Sequence, residues 1–127
     1  DEFYEKIEGW LGSMEEIFGK GNLYLDMQPS DNPEQILVNT EIIKLSEKLG
    51  LPYIITTDTH YLKKEDAPIH EAFLKSQDGD REVLDFYKTT YVMSTEELES
   101  YMLTHLTEEQ LATAYNNIIE IKNKLVN

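Results

Sequence analysis

The pattern that most constrains the fold of this chain is a strand, a helix and a second strand within residues 23–57. Residues 23–28 and 53–57 are short runs rich in apolar and β-favouring side chains, and turn-forming residues bound each run. Between them, Asn32 followed by Pro33 predicts the start of a helix, and Gly50 predicts its end. Two strands joined by one helix are typical of a parallel pair, so the pattern predicts an α/β fold.

Further helices are predicted on both sides of this unit. The first ends near residue 18 and carries apolar side chains at helical spacing: Phe3, Ile7, Trp10, Leu11, Met14, Ile17 and Phe18. In the helix that starts at Pro33, Gln35 stands where a capping box closes. The apolar stripe expected on that helix consists of Val38, Ile42, Leu45 and Leu49.

The second half of the chain is predicted to be mostly helical. We expect a helix over residues 65–76, a loop over residues 77–85 and an extended segment over residues 86–93. Capping boxes at Ser94 with Glu97 and at Thr107 with Gln110 predict two final helices, over residues 95–103 and 108–125.

The composition excludes several classes of function. With 11 basic and 25 acidic side chains the net charge is −14, so the chain repels phosphate and is expected to bind no DNA by itself. The absence of cysteine excludes disulfides and thiolate metal sites. No run resembles a membrane span or a secretion signal, which favours the cytoplasm. The chain opens in the middle of a helical pattern without an initiator Met, so we expect a piece of a longer protein.

One pair of residues with metal-binding chemistry follows the second predicted strand. Asp58 and His60 lie directly after it, where α/β proteins place their catalytic groups. Residues two apart on an extended chain point to the same side, so the two side chains are expected to converge on one divalent ion. Zinc, manganese and iron accept such ligands. The structural alternative is that Asp58 begins a turn or caps the next helix while His60 packs or is solvated.

Three further residues are candidates for contacts around such a site. Asp26 and Gln28 share a face of the first strand, near the end of the sheet at which Asp58 and His60 are expected. His70, on the following helix, could orient a ligand. A buried hydrogen bond or a packed imidazole is the alternative for each. His105 is interpreted as a loop residue. Two ligands do not complete a catalytic zinc site, which has three protein ligands and water.

Several segments, in this order, resemble the polymerase and histidinol phosphatase (PHP) domain of bacterial DNA polymerase III alpha subunits. They are residues 23–28, 48–52, 56–62, 65–71 and 91–98, so the resemblance covers nearly the whole chain. The extended segment that leads into Ser94 and Glu-Glu-Leu before two helices is similar to the polymerases rather than to the short phosphatases of the superfamily.

The resemblance implies a fold and a partial metal site. The fold would be the C-terminal βαβ portion of a distorted (β/α)7 PHP barrel in residues 1–80, then a helical tail in residues 81–127 that leads towards the polymerase palm. Asp58 and His60 match the last metal-ligand pair of the family, which takes zinc or manganese in the intact domain. The earlier histidine motifs of the family have no counterpart here. We therefore expect the chain alone to be inactive, to bind no metal tightly and to act mainly as scaffold.

The parent implied by the resemblance is a replicative DNA polymerase, which extends primers with deoxynucleotides and magnesium. Its partners would be the remainder of the polymerase chain and exonuclease or clamp subunits. Uncovered faces of the piece could also give a non-native dimer. Three alternatives stay open: the Gram-positive polymerase form with an inserted exonuclease, which Asp58 disfavours; a free-standing PHP phosphoesterase; and a non-catalytic protein-interaction module.

Overall fold

The structure, a computed structural model, describes residues 2–77 and 85–126. Its helices and strands follow in the order α1 (Glu2–Phe18), β1 (Leu25–Met27), α2 (Pro33–Leu49), β2 (Tyr53–Ile55), α3 (Ala67–Gln77), α4 (Thr95–Met102) and α5 (Glu108–Leu125). Short 3₁₀ helices at Lys64–Asp66 and Asp85–Thr89 stand before α3 and α4. The described part of the chain is therefore mixed α/β and mostly helical, with a small parallel sheet.

The predicted strand–helix–strand unit is confirmed. β1 and β2 pair in parallel with Asp26 opposite Ile54, and α2 makes the crossover between them. The Asn32 side chain caps α2 by accepting two backbone N–H groups of the first turn. Gly50 ends the helix with a φ of 69°, a left-handed conformation that glycine adopts without steric cost. The start and end signals in the sequence therefore act as expected.

Both strands are shorter than predicted, with three residues each. β1 ends at Met27 because the backbone N–H and C=O of Gln28 bond to the side chain of Asn39, on α2, instead of continuing the ladder. The parallel sheet is thus small, and a helix side chain closes one end of it.

The stripe predicted for α2 is partly wrong. Val38 is 49% exposed, whereas its neighbour Asn39 is fully buried. The helix is turned so that Asn39 reaches β1, and this orientation moves Val38 towards solvent. The predicted capping box does not close, because the Gln35 side chain donates to Asn39 Oδ1 at 3.0 Å instead. The core-facing apolar side chains of α2 are those of Ile42, Ile43, Leu45 and Leu49.

The region after β2 also differs from the prediction. The expected helix over residues 65–76 begins as a 3₁₀ turn and becomes α-helical only at Ala67. The segment expected to be extended contains the 3₁₀ helix Asp85–Thr89, because the Thr89 hydroxyl bonds to the carbonyl oxygen of Phe86 and favours a turn. The predicted loop over residues 77–85 lies almost entirely outside the described residues, so the division into residues 1–80 and 81–127 stays a prediction.

Both predicted capping boxes are confirmed at the starts of α4 and α5. α5 packs against β2, and Asn117 donates a 2.8 Å hydrogen bond to the carbonyl oxygen of Tyr53. The main core cluster is apolar and is formed by the sheet, helices α1, α2, α4 and α5 and the turns next to them: Leu11, Leu25, Met27, Ile43, Leu51, Tyr53, Ile55, Met102, Leu106, Leu111 and Ala114. Within the described ranges, no helix combines the length and the apolar character needed to span a membrane.

Candidate functional site

The candidate site lies where the two parallel strands end. Thr56 follows β2, and its hydroxyl donates a 2.7 Å hydrogen bond to the carboxylate of Asp26 on β1. The backbone N–H of Thr56 continues the ladder by donating to the carbonyl oxygen of Met27 at 3.0 Å. Asp26 therefore stands beside the residues that leave β2, as the sequence predicts.

Asp58 turns the chain sharply after β2. Its φ of 44° lies in the left-handed region, which aspartate enters more readily than most residues because its short polar side chain can bond locally. The chain is therefore not extended at Asp58. The expectation that the side chains of Asp58 and His60 point to the same side assumed an extended chain, and that assumption is wrong. Asp58 and His60 are both exposed.

His60 is held in a defined tautomer by this turn. Its Nδ1 lies 2.6 Å from the backbone carbonyl oxygen of Asp58. Because a carbonyl oxygen only accepts, Nδ1 carries the proton and Nε2 of the neutral ring keeps its lone pair. Metal-binding histidines commonly donate their other ring N–H to a carbonyl in this way. His60 is thus arranged to act as an Nε2 ligand.

The segment after β2 is attached to the chain before α4. The backbone N–H of His60 donates to the carbonyl oxygen of Thr90 at 2.7 Å, and Tyr61 forms a parallel bridge with Tyr91. The Tyr61 hydroxyl also donates to the carbonyl oxygen of Tyr87 at 2.6 Å. These bonds fix the position of His60 although its side chain is exposed.

His70 and Tyr87 lie beside His60. The His70 ring stacks on Tyr61 with centroids 5.3 Å apart, and its centroid is 5.5 Å from that of His60. The Tyr87 ring lies 5.3 Å from His60 and 5.2 Å from His70. A cavity of about 470 Å³ opens next to this group, and Lys64, Glu71 and Lys88 are among its lining residues. His70 is thus packed against aromatic rings beside His60, a placement that fits both the packed imidazole and the orienting contact considered for it, and its role stays a prediction.

The carboxyl group of Asp26 responds to its surroundings at the strand end. Partial burial raises the pKa of Asp26, the hydrogen bonds from Thr56 oppose that shift, and the negative charge of Asp58 adds to it. Burial is the largest cause of this shift, and the charge of Asp58 is the smallest.

Gln28 lies at this end of β1, but the residue that governs its backbone is Asn39. The Gln28 N–H donates to Asn39 Oδ1 at 3.2 Å, and Asn39 Nδ2 donates to the Gln28 carbonyl oxygen at 2.8 Å. Asn39 Nδ2 is also 3.0 Å from Nε2 of His105. His105 lies in the turn between α4 and α5, as predicted. Its contact with Asn39 was not predicted, and the one indication in the sequence is that Asn39 is a polar residue near the inward side of α2.

The ligands that the described residues supply do not complete a metal site. Residues 2–77 and 85–126 contain no group of three or more His, Cys, Asp or Glu side chains placed to hold a metal ion. The described residues therefore give Asp58 and His60 no third ligand. Their role as ligands stays a prediction.

Comparison with known proteins shows that this chain is similar to DNA polymerases. No family model matches it. It is 36% identical over 116 residues to the probable DNA polymerase YorL of Bacillus subtilis strain 168, which covers 91% of this chain and 9% of that protein. The DNA-directed DNA polymerase of Bacillus phage SPbeta matches with the same figures. The DNA polymerase III alpha subunit of Aquifex aeolicus is 36% identical over 73 residues, which cover 58% of this chain and 6% of that protein.

The fold defines a small α/β segment, and the relatives define its family. The chain is related to DNA polymerases, and the DNA polymerase III alpha subunits are among these relatives. It spans less than a tenth of the length of the relatives described above.

Proposed function

We propose that this chain is a segment of a replicative DNA polymerase related to the DNA polymerase III alpha subunits, and that it serves DNA-directed DNA synthesis as scaffold. One observation carries the proposal: a match to a DNA polymerase over 91% of the chain at 36% identity. A similarity that extends over nearly every described element favours a shared fold rather than a shared local motif. Nucleotidyl transfer itself, with magnesium, would belong to the palm elsewhere in the polypeptide.

The segment corresponds, in this proposal, to the C-terminal part of a PHP domain. The parallel β1–α2–β2 unit and the position of Asp58 and His60 after β2 support this assignment. The sheet of the described residues has two strands, so the other strands of a PHP barrel would come from elsewhere in the polypeptide. The polymerase would work in the cytoplasm, with exonuclease or clamp subunits as its partners.

The residues present fit part of a zinc or manganese site. The carboxylate of Asp58 and Nε2 of His60 would hold the ion, because the Nδ1 proton of His60 is already bonded to a carbonyl oxygen. Asp26 would add negative charge nearby, and His70 would support the His60 ring. When the remaining ligands are present, such an ion supplies a Lewis acid and activates water.

The metal content of the complete polymerase tests the proposal. The gene is sequenced downstream of this segment, and the encoded polymerase is purified as wild type and as an Asp58→Asn, His60→Gln variant. Bound zinc and manganese are measured by mass spectrometry after dialysis. The variant is expected to lose about one metal ion per chain, while polymerase activity is retained.

Matched substitutions serve as the control. Glu5→Gln on α1 and Glu120→Gln on α5 each remove a carboxylate on a helix that does not follow the strand ends, and they are expected to leave the metal content unchanged. A gene that ends soon after this segment without a polymerase palm would overturn the polymerase assignment. Equal metal content in all variants would overturn the assignment of Asp58 and His60.

A further inference from the structure

Helix α1 has an apolar surface wider than the part that packs on the core. Phe3, Trp10 and Ile17 are 64%, 59% and 70% exposed. They are seven residues apart, which is close to two helical turns, so they form one line along the helix. We call these three residues the outer stripe.

The outer stripe is held away from the core by the other side of α1. Leu11 is buried in the core cluster, and Ile7 packs partly against it. The hydroxyl of Tyr4 donates to the carboxylate of Glu41 on α2 at 2.7 Å, and Glu8 forms an ion pair with Lys48 at 2.5 Å. Turning the outer stripe inward would break these contacts with α2, so the exposure of the stripe is a fixed property of the fold.

The surface of the chain is large for its length. Its accessible area is 8527 Å², whereas a compact monomer of 127 residues exposes about 7,000 Å². A long row of exposed aromatic and aliphatic side chains is also characteristic of an interface. The row of exposed apolar side chains on α1 is the feature that fits a covering element.

We propose that the outer stripe packs against a helix from another part of the same polymerase polypeptide, an inference that rests on the proposed function. The relatives that match 91% of this chain are about eleven times longer than the matched segment, since it is 9% of their length. A covering element from the same polypeptide is always present at high effective concentration. The spacing of seven residues suits the ridge of a second helix.

Charge disfavours a second copy of this chain as the covering element. Each copy carries a net charge of −14, and α1 itself has five glutamates and one lysine. Two such helices placed together would repel each other. The covering helix is therefore expected to be apolar in the middle and basic at its flanks.

Thiol labelling measures whether the outer stripe is covered. The chain has no cysteine, so Ile17→Cys introduces a single reactive position on the stripe. Glu16→Cys is the matched control, because residue 16 is exposed one position away on a different side of α1. Both variants are made in the 127-residue chain and in the complete polymerase. The rate of maleimide labelling at each position is followed by peptide mass spectrometry.

Ile17→Cys is expected to react about tenfold more slowly in the complete polymerase than in the 127-residue chain, and Glu16→Cys about equally in both. Equal rates for Ile17→Cys in an active polymerase would overturn the docking proposal and leave the proposed function intact. Slow labelling in the 127-residue chain, together with a dimer in sedimentation, would overturn it in favour of a second copy. A gene without a polymerase palm would overturn both proposals.

Discussion

Asn39 is the side chain that holds the end of β1 to α2. It is fully buried, and its carboxamide bonds to both backbone groups of Gln28 and to the side chains of Gln35 and His105. Asn39→Ala would leave the N–H and C=O of Gln28 without these partners. We expect it to lower the free energy of unfolding by about 2–3 kcal/mol, measured by urea denaturation.

The control for Asn39→Ala is the same substitution on the surface. Asn116 is exposed on α5, and Asn116→Ala is expected to change the free energy of unfolding by less than about 0.5 kcal/mol. Equal effects of the two substitutions would contradict the role given to Asn39.

The contacts of His105 define which of its nitrogens carries the proton. Asn39 Nδ2 is a donor, so Nε2 of His105 accepts its hydrogen bond at 3.0 Å. Nδ1 then donates to the Thr104 hydroxyl at 2.9 Å, and that hydroxyl donates to the carbonyl oxygen of Tyr101. A second proton, on Nε2 of His105, would place an N–H donor against the Nδ2 donor of Asn39. This network therefore requires the neutral ring.

This network makes stability depend on pH. Burial lowers the pKa of His105 below its usual range, so the unfolded chain takes up a proton before the folded chain does. Stability is therefore fully present above about pH 6.5 and falls as the pH drops below that value. We expect this residue to lower the free energy of unfolding as the pH falls from 8 to 5.

His105→Gln isolates this contribution, since a glutamine oxygen accepts the Asn39 hydrogen bond at any pH. Urea midpoints for wild type and variant are compared from pH 8 to pH 5. The wild type is expected to lose more stability across this range. Parallel curves would show that His105 does not titrate against this network.

The burial of Asn39 is the single-residue feature that could not be predicted from the sequence. A polar side chain on an amphipathic helix is expected to face water, as the predicted stripe with Val38 assumed. The reason for its burial is the unpaired backbone of Gln28, which is distant along the chain and is brought near only by the crossover. In contrast, the location of Asp58 and His60 after β2 follows from their order in the sequence, because position along the chain determines position at a strand end. Their role as metal ligands stays a prediction.

Among the structural elements, the helix starts follow most directly from the sequence. Ser94 accepts the backbone N–H of Glu97 at 3.2 Å, and the Glu97 side chain accepts the N–H of Ser94 at 2.9 Å. Both partners are within four residues, so the pattern alone predicts the contact. The strand lengths and the 3₁₀ helix Asp85–Thr89 depend instead on side chains that compete for backbone groups, and propensity does not predict that competition.

The capping box of α4 can be tested by replacing serine with alanine at the N-cap and, separately, inside the helix. Ser94→Ala removes the acceptor for the N–H of Glu97 and is expected to lower the free energy of unfolding by about 1 kcal/mol. Ser100→Ala, on the exposed part of α4, is expected to be neutral or slightly stabilising because alanine favours the helix. Thermal denaturation of both variants gives the comparison, and a larger loss from Ser100→Ala would contradict it.

At the scale of the whole molecule, the net charge determines whether the chain binds nucleic acid. A charge of −14 repels the phosphate backbone, so we expect no saturable binding to single- or double-stranded DNA at about 150 mM salt. Fluorescence anisotropy with labelled oligonucleotides measures this. A micromolar affinity that weakens as salt is added would show that a local basic surface outweighs the net charge.

Metal binding is the property that most depends on the rest of the polypeptide. Asp58 and His60 are exposed, keep their hydration and lack a third ligand among residues 2–77 and 85–126. Zinc titration calorimetry on the 127-residue chain is therefore expected to show weak binding, equal in wild type and in an Asp58→Ala, His60→Ala variant. The complete polymerase is expected to differ, because its other ligands would make the two side chains necessary. A stoichiometric, submicromolar zinc site in the 127-residue chain that the double substitution removes would mean that these residues form a site without the remainder of the protein.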